Sequence, residues 1–216
     1  MIYLYQKARD PMSYLTHFLG FVLSCIGLIL LIMRGIVWKA ELVYTLSACL
    51  FCFSAMLLYF ASSLYHYYNG SSQGIKRLRK LDHAMIYVLI AGSYTPMCIL
   101  CMPPARALIF LLIVWSVAIL GIIFKVIFIN APRWLGTAIY LIMGWMVVFD
   151  WNSFASLPLG CLVLVALGGV SYSVGAIIYG LKKPNISKTW TFHEIFHVFI
   201  MVGTLLHYLA VFHYVV

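Results

Sequence analysis

The chain has 216 residues, of which 65% are hydrophobic and 9% are charged, and its formal net charge is +9. Soluble domains carry roughly 25% charged residues, so this composition excludes a water-soluble protein and predicts a single membrane domain over residues 1–216. The positive charges occur in short segments between apolar stretches. They therefore favour contact with anionic membrane lipids over the binding of nucleic acid.

Apolar segments recur along the chain, each close to the roughly 20 residues that a helix needs to cross the hydrocarbon core. The predicted spans are 14–33, 42–66, 83–102, 106–128, 133–150, 157–181 and 191–214. The connections between them are short and contain Gly, Pro, Asn or charged residues. The predicted fold is an all-α membrane protein, a bundle of seven transmembrane helices.

The orientation follows from the distribution of Lys and Arg, because short cytoplasmic loops carry most of these residues. In a seven-span topology, eleven lie on the N-terminal side: Lys7, Arg9, Lys76, Arg77, Arg79, Lys80, Lys125, Arg133, Lys182, Lys183 and Lys188. The opposite side holds Arg34, Lys39 and Arg106. The N-terminus is therefore predicted in the cytoplasm and the C-terminus outside, in a multi-pass protein of the cytoplasmic (plasma) membrane.

Small residues in the sixth span predict close packing against another helix. Gly169-x-x-x-Ser173 and Ser171-x-x-x-Gly175 both have the spacing that lets two membrane helices approach closely. The six cysteines fall within or at the ends of apolar segments. They are predicted to be small buried side chains, and no disulfide framework is indicated.

The most informative motif is His193-Glu194-Ile195-Phe196-His197, at the start of the last span. Residues four apart lie on one face of a helix, so the two imidazoles can point at one atom. This pattern is typical of a zinc site, and in zinc proteases the glutamate of His-Glu-x-x-His is the general base.

Two other spans place polar residues at the same membrane depth as this motif. Ser62 and His66 share a face at the end of the second span, and Asp82 begins the third. A catalytic zinc typically has three protein ligands and an open position for water. His66, His193 and His197 would supply the ligands, and Asp82 could hold or deprotonate the water.

The spacing alone leaves some roles open. Asp82 and Glu194 compete for the role of general base. Ser62 could hydrogen-bond a ligand, the water or a substrate oxygen, so the candidate catalytic residues are Asp82, Ser62 and Glu194.

Taken together, these motifs resemble the haemolysin III family, the bacterial branch of the progestin and adipoQ receptor family, which is linked to the CREST superfamily and its alkaline ceramidases. The resemblance covers essentially the whole chain. Its motifs are Asp10-Pro11 with Thr16-His17, Ser62-x-x-x-His66, Leu81-Asp82-His83-Ala84 through Ala91-Gly92-Ser93-Tyr94-Thr95-Pro96, and His193-Glu194-x-Phe196-His197.

The resemblance implies a seven-helix fold with a cytoplasmic N-terminus and Zn²⁺ bound by His66, His193 and His197. It also implies that Asp82 and Ser62 are the motif Asp and Ser, and it favours Asp82 over Glu194 because only His-x-x-x-His is constant in the family. Relatives often have Glu-Pro-x-Asn where this chain has Asp10-Pro11-Met12-Ser13, so no role is transferred to that segment.

The function expected first is zinc-dependent hydrolysis of a lipid amide or ester, in membrane-lipid homeostasis. The alternatives are a receptor or lipid sensor with structural zinc, a pore-forming haemolysin that causes cytolysis, and an intramembrane zinc protease that uses Glu194. The expected partners are membrane lipids and a lipid substrate or ligand, without nucleic acid, and a homo-oligomer is allowed.

Overall fold

The computed structural model describes residues 7–216, and every regular element in that range is helical. The α-helices are α1 Pro11–Val37, α2 Leu42–Tyr67, α3 Ser72–Cys101, α4 Pro104–Ile127, α5 Arg133–Gly144, α6 Trp151–Ala155, α7 Leu159–Leu181 and α8 Phe192–Tyr214. A 3₁₀-helix, Met146–Asp150, joins α5 to α6. Residues 1–6 of the predicted domain lie outside the described residues.

Seven helical segments of the described chain are long and apolar enough to cross a membrane, with α5, the 3₁₀-helix and α6 together forming the fifth, Arg133–Ala155. The predicted seven-helix membrane fold is therefore confirmed. Large apolar side chains face outward, such as Leu23 and Ile26 of α1, whereas Gly20, Ser24 and Gly27 face inward. This arrangement suits a bilayer, because lipid tails solvate large apolar side chains and small residues let helices approach.

Helix α3 lies at the centre of the bundle. It packs extensively against α2 and α4 and also touches α5, α6 and α8, while α1 packs against α2 and α8, and α7 against α5 and α8. Consecutive spans run in opposite directions, so α2 ends where α3 and α8 begin. We call this end of the bundle, which carries His66, Asp82 and His193, the histidine end.

The helix that contains the predicted third span, about 83–102, begins earlier than that span, because α3 begins at Ser72. The Ser71 hydroxyl caps the helix by accepting a hydrogen bond from the Gly74 amide at 3.2 Å, and the basic turns that follow are helical too. The hydropathy pattern could not reveal this start, because it detects only the part of a helix that lies in hydrocarbon.

The fifth span is interrupted at Gly144. The Tyr94 hydroxyl of α3 lies 2.7 Å from the carbonyl of Gly144 and 3.2 Å from that of Met143, and it accepts a hydrogen bond from the Val147 amide at 3.0 Å. A buried side chain thus satisfies backbone groups that the broken helix leaves without partners, as a membrane interior requires.

The two small-residue patterns of the sixth span, here α7, behave differently. The Ser171 hydroxyl donates to the Phe199 carbonyl of α8 at 2.8 Å, and a Cβ atom on Gly175 would lie 2.9 Å from Phe199. A Cβ atom on Gly169 would meet nothing within 4 Å. The packing prediction is therefore confirmed for Ser171 and Gly175 and wrong for Gly169.

Candidate metal centre

Three imidazoles meet at the histidine end, although they come from two helices far apart in sequence. His66 lies in the last turn of α2, and His193 and His197 lie one turn apart at the start of α8. One nitrogen from each ring lies within 4.8 Å of the other two, and the Nε2 atoms of His66 and His193 are 3.1 Å apart. Two ligands on a tetrahedral zinc ion would be roughly 3.3 Å apart, so the geometry fits a metal ion.

The outer nitrogens of two of these rings are already engaged. His66 Nδ1 lies 3.0 Å from a carboxylate oxygen of Asp10. His197 Nδ1 lies 3.0 Å from the Thr16 hydroxyl, which itself donates to the Ser13 carbonyl at 3.0 Å. Both Nδ1 atoms therefore act as donors, which leaves the Nε2 lone pairs for a metal.

Asp10 is a site residue to which the sequence analysis gave no role. Its amide donates to the His66 carbonyl at 3.0 Å, and its carboxylate also accepts from Arg9 at 2.9 Å. Partial burial raises the pKa of Asp10, but the hydrogen bond from His66 and the Arg9 guanidinium outweigh it and lower the pKa to about 2. The Asp10-Pro11 motif could have indicated this contact with His66. No role was transferred to it because the segment differs from the Glu-Pro-x-Asn pattern of the family.

Asp82 and Ser62 lie next to the three imidazoles. Asp82 is buried on α3, with one oxygen 3.3 Å from His83 Nδ1, and its charge acts on both His66 and His193. Ser62 is fully buried beside Asp82, and its hydroxyl makes no hydrogen bond of good geometry within residues 7–216. Both groups line one cavity, so a ligand there can meet the Ser62 hydroxyl and the Asp82 carboxylate.

Glu194, the acidic residue of the His-Glu-x-x-His motif, has other partners. One carboxylate oxygen accepts from the Ser13 hydroxyl of α1 at 2.5 Å. The other accepts from the amide and hydroxyl of Thr191, at 2.8 and 2.6 Å. These contacts form a capping box at the start of α8, an arrangement that satisfies the free amides of a helix N-terminus.

A cavity of about 300 Å³ opens from this site into the bundle. His17, Asp82 and His193 lie at its polar end, and its apolar part is lined by residues such as Phe154 and Leu162. The His17 ring stacks on that of His197 with centroids 3.5 Å apart, and neither of its nitrogens has a hydrogen-bond partner among the described residues. His17 is therefore a second polar group, besides Ser62, that is able to meet a ligand.

The remaining histidines and the cysteines of the spans have structural positions. His83 lies between the Arg79 carbonyl, at 2.9 Å, and the Tyr179 hydroxyl, at 3.4 Å, and His207 contacts the Val165 carbonyl of α7 at 3.1 Å. All six cysteines are free thiols and are buried or partly buried, in agreement with their predicted role as small packing residues.

Comparison with known proteins yields consistent matches over almost the whole chain. A family model described as Haemolysin-III related matches residues 5–208. The chain is 36% identical over 208 residues to the Hemolysin-3 homolog of Bacillus subtilis (strain 168), with 94% of this chain and 92% of that protein covered. It is 33% identical over 205 residues to Hemolysin-3 of Bacillus cereus, with 93% and 89% covered.

Proposed function

This chain belongs to the haemolysin III-related family of multi-pass membrane proteins, and from that premise we propose that it is a zinc-dependent hydrolase of a lipid amide or ester that serves membrane-lipid homeostasis. Its bacterial relatives indicate the plasma membrane. The observation that carries the proposal is that two of the three clustered imidazoles, those of His193 and His197, line a largely apolar cavity that Asp82 also lines. A structural metal site alone would not need such a cavity.

In this proposal His66, His193 and His197 hold the zinc ion, which supplies a Lewis acid that polarises a carbonyl and acidifies water. Asp82 accepts the proton of the attacking water and returns it to the leaving nitrogen or oxygen as the acyl bond breaks. The products are a carboxylic acid and an amine or alcohol. Ser62 donates a hydrogen bond to the Asp82 carboxylate or to the substrate carbonyl.

The contacts of the two acidic residues support Asp82 over Glu194 as the proton carrier. Both oxygens of Glu194 are engaged by Ser13 and Thr191, whereas Asp82 lines the cavity. The same contacts weigh against the zinc-protease alternative, which needs the glutamate beside the metal.

The cavity supports a lipid as the substrate. It runs from Asp82 at the histidine end to Met97 on the same helix, and fifteen residues of α-helix extend over roughly 22 Å. An apolar space of this length suits an acyl chain whose carbonyl lies at the polar end.

The test is lipid analysis of membranes from cells that express wild-type protein, Asp82→Asn or Glu194→Gln, with the zinc content of each purified protein measured. We expect free fatty acid or amine product with wild type, a loss on the order of 10²-fold or more with Asp82→Asn, and near-normal product with Glu194→Gln, since Gln also completes a capping box. Equal product from wild type and zinc-loaded Asp82→Asn would contradict the hydrolase.

A receptor or lipid sensor with structural zinc is the second candidate. The observation that favours it is that the ligands join α2 to α8, two helices that otherwise touch at few positions. In that case His66→Ala would lower thermal stability in zinc, and no product would depend on Asp82. Adding His66→Ala to the variants above thus separates the two functions.

A native pore is the third alternative, and it has little support. Polar groups cluster at the histidine end, while a pore needs a continuous polar lining. The haemolytic name belongs to the relatives, and no polar path in the described residues supports cytolysis by this chain.

A further inference from the structure

Lys125 is a largely buried lysine near the end of α4. The residue is only 4% exposed, and among residues 7–216 its ammonium group makes no ion pair. Its Nζ atom is not one of the fully buried polar atoms without a partner, so the tip of the side chain reaches the surface of the bundle. The ammonium group fits only because residue 136 of α5 is glycine, since a Cβ atom on Gly136 would lie 2.8 Å from the Lys125 Nζ atom. The stem of Lys125 is thus buried while its unpaired charge lies at the surface, where an anion can reach it.

Two arginines lie close to Lys125. The charges of Arg79 of α3 and Lys125 repel each other. Arg79 is joined to Tyr179 through His83, which contacts the Arg79 carbonyl at 2.9 Å and the Tyr179 hydroxyl at 3.4 Å. Arg133, the first residue of α5, holds its guanidinium 5.4 Å from the centre of the Tyr179 ring, and the charges of Arg79 and Arg133 both act on Tyr179. Cations from three helices thus converge at the histidine end, and we call Arg79, Lys125 and Arg133 the cation cluster.

The chain itself contains no carboxylate for the cation cluster. Its five acidic residues are Asp10, Glu41, Asp82, Asp150 and Glu194. Asp10 pairs with Arg9 and His66, Asp82 with His83, and Glu194 with Ser13 and Thr191. Asp150 pairs with Arg106 at the opposite end of the bundle, where Glu41 precedes α2. Asp82 also acts on Tyr179. However, no carboxylate of the described residues forms an ion pair with Arg79, Lys125 or Arg133, so the cation cluster can receive an anion from outside the chain.

The surroundings of the cation cluster indicate a lipid as the source of that anion. Ile127 and Trp134, which flank Lys125 and Arg133 in sequence, are 64% and 65% exposed, as expected for side chains that face a bilayer. Basic side chains at the membrane surface attract anionic lipids, and arginine binds phosphate through two parallel hydrogen bonds.

We propose that the cation cluster binds the phosphate group of an anionic membrane lipid between α3, α4 and α5. The phosphate neutralises Lys125, and the acyl chains of the lipid lie against the exposed apolar faces of α4 and α5. The cluster adjoins the cavity, because His83 contacts both the Arg79 carbonyl and the Tyr179 hydroxyl. The proposal concerns binding and holds whether or not the protein is a hydrolase.

The test is native mass spectrometry of the purified full-length protein, titrated with phosphatidylglycerol and with phosphatidylcholine of identical acyl chains. We expect phosphatidylglycerol to bind about tenfold more tightly, and Lys125→Met to remove that preference, because one charge-assisted hydrogen bond accounts for about tenfold in affinity. Gly136→Ala, which displaces the ammonium group without removing it, should weaken the same lipid. The matched control is Lys76→Met, an exposed lysine of α3, which should leave binding unchanged.

Thermal unfolding in lipid-free micelles separates binding from a structural role. Without lipid, Lys125→Met should unfold at the same or a higher temperature, because it removes an unpaired charge that repels Arg79 and replaces it with an apolar side chain of similar length. Equal affinity for the two lipids, or unchanged binding in both Lys125→Met and Gly136→Ala, would overturn the proposal. Displacement of the lipid by inorganic phosphate at equal concentration would also overturn the proposal, because the site would then bind free phosphate. If Lys125→Met does not fold, the exposed Arg133→Gln variant carries the same test.

Discussion

At the scale of single residues, the candidate metal centre is defined by which partner holds the outer nitrogen of each histidine. Asp10 holds Nδ1 of His66 and Thr16 holds that of His197. Partners of this kind orient a metal-binding imidazole and increase its basicity. Since Asp10 and Thr16 both lie where α1 begins, a third helix takes part in a site whose ligands come only from α2 and α8.

Asp10→Ala is expected to weaken zinc binding by roughly 10- to 100-fold, the usual effect of removing such a partner. The affinity is measured by competition with a chelator of known zinc affinity. The control is Glu41→Ala, which removes an acidic residue that precedes α2 at the opposite end of the bundle. Wild-type zinc affinity in Asp10→Ala would show that Asp10 does not support His66.

The contacts of Glu194 explain why a short motif can assign the wrong role to a residue. His193-Glu194-x-x-His197 has the sequence of a zinc-protease helix, but here the turn is also the start of α8. Its glutamate satisfies the helix N-terminus and accepts the Ser13 hydroxyl. Only the contacts with Thr191 and with α1 distinguish these two uses.

At the scale of helices, α7 and α8 pack closely because small residues face large rings. A Cβ atom on Gly168 would lie 2.2 Å from the ring of His207, and one on Gly203 would lie 2.7 Å from Tyr172. Between lipid-solvated helices this close approach replaces the hydrophobic effect as the source of attraction.

The neighbouring residues Gly168 and Gly169 provide a matched test of this packing. Gly168→Ala should lower the free energy of unfolding by about 1–3 kcal/mol, since the buried ring of His207 must shift. Gly169→Ala should leave it unchanged or raise it by up to about 1 kcal/mol, because alanine favours helix and the site has open space. Both values come from reversible denaturation in micelles. Equal losses in the two variants would mean that helix propensity, and not packing, governs α7.

At the scale of the whole molecule, the charges divide between the two ends of the bundle. The cation cluster and the metal centre share the histidine end, where nearly all Lys and Arg of the chain lie. This asymmetry predicts that the site opens towards the cytoplasm, where lipids of the inner leaflet would reach it.

Reporter fusions check this orientation. Alkaline phosphatase fused after Lys39 or Val216 should be active, because both positions are predicted outside, and a fusion after Lys183 should be inactive. Green fluorescent protein at the same positions should give the complementary pattern. Activity after Lys183 together with inactivity after Val216 would reverse the orientation.

The sequence by itself determined the seven-helix membrane fold, the approximate spans and the shared helix face of His193 and His197, because hydropathy and helical spacing are local properties of the chain. It predicted that His66 joins them from its similar membrane depth and from the family resemblance, and the structure brings the three imidazoles together. The sequence did not determine the early start of α3, the break at Gly144 or the absence of contacts at Gly169. Each of these depends on a cap or a partner on another segment.

Only the tertiary structure decided the surroundings of the metal centre. It brought Asp10 to His66, turned Glu194 towards Ser13, and left Lys125 buried without a carboxylate. A sequence pattern specifies which groups share a face of one helix, whereas burial and hydrogen bonding depend on which helices adjoin that face. The physical reason is that a polar group in a membrane must find its partner across space, and that partner is seldom close in sequence.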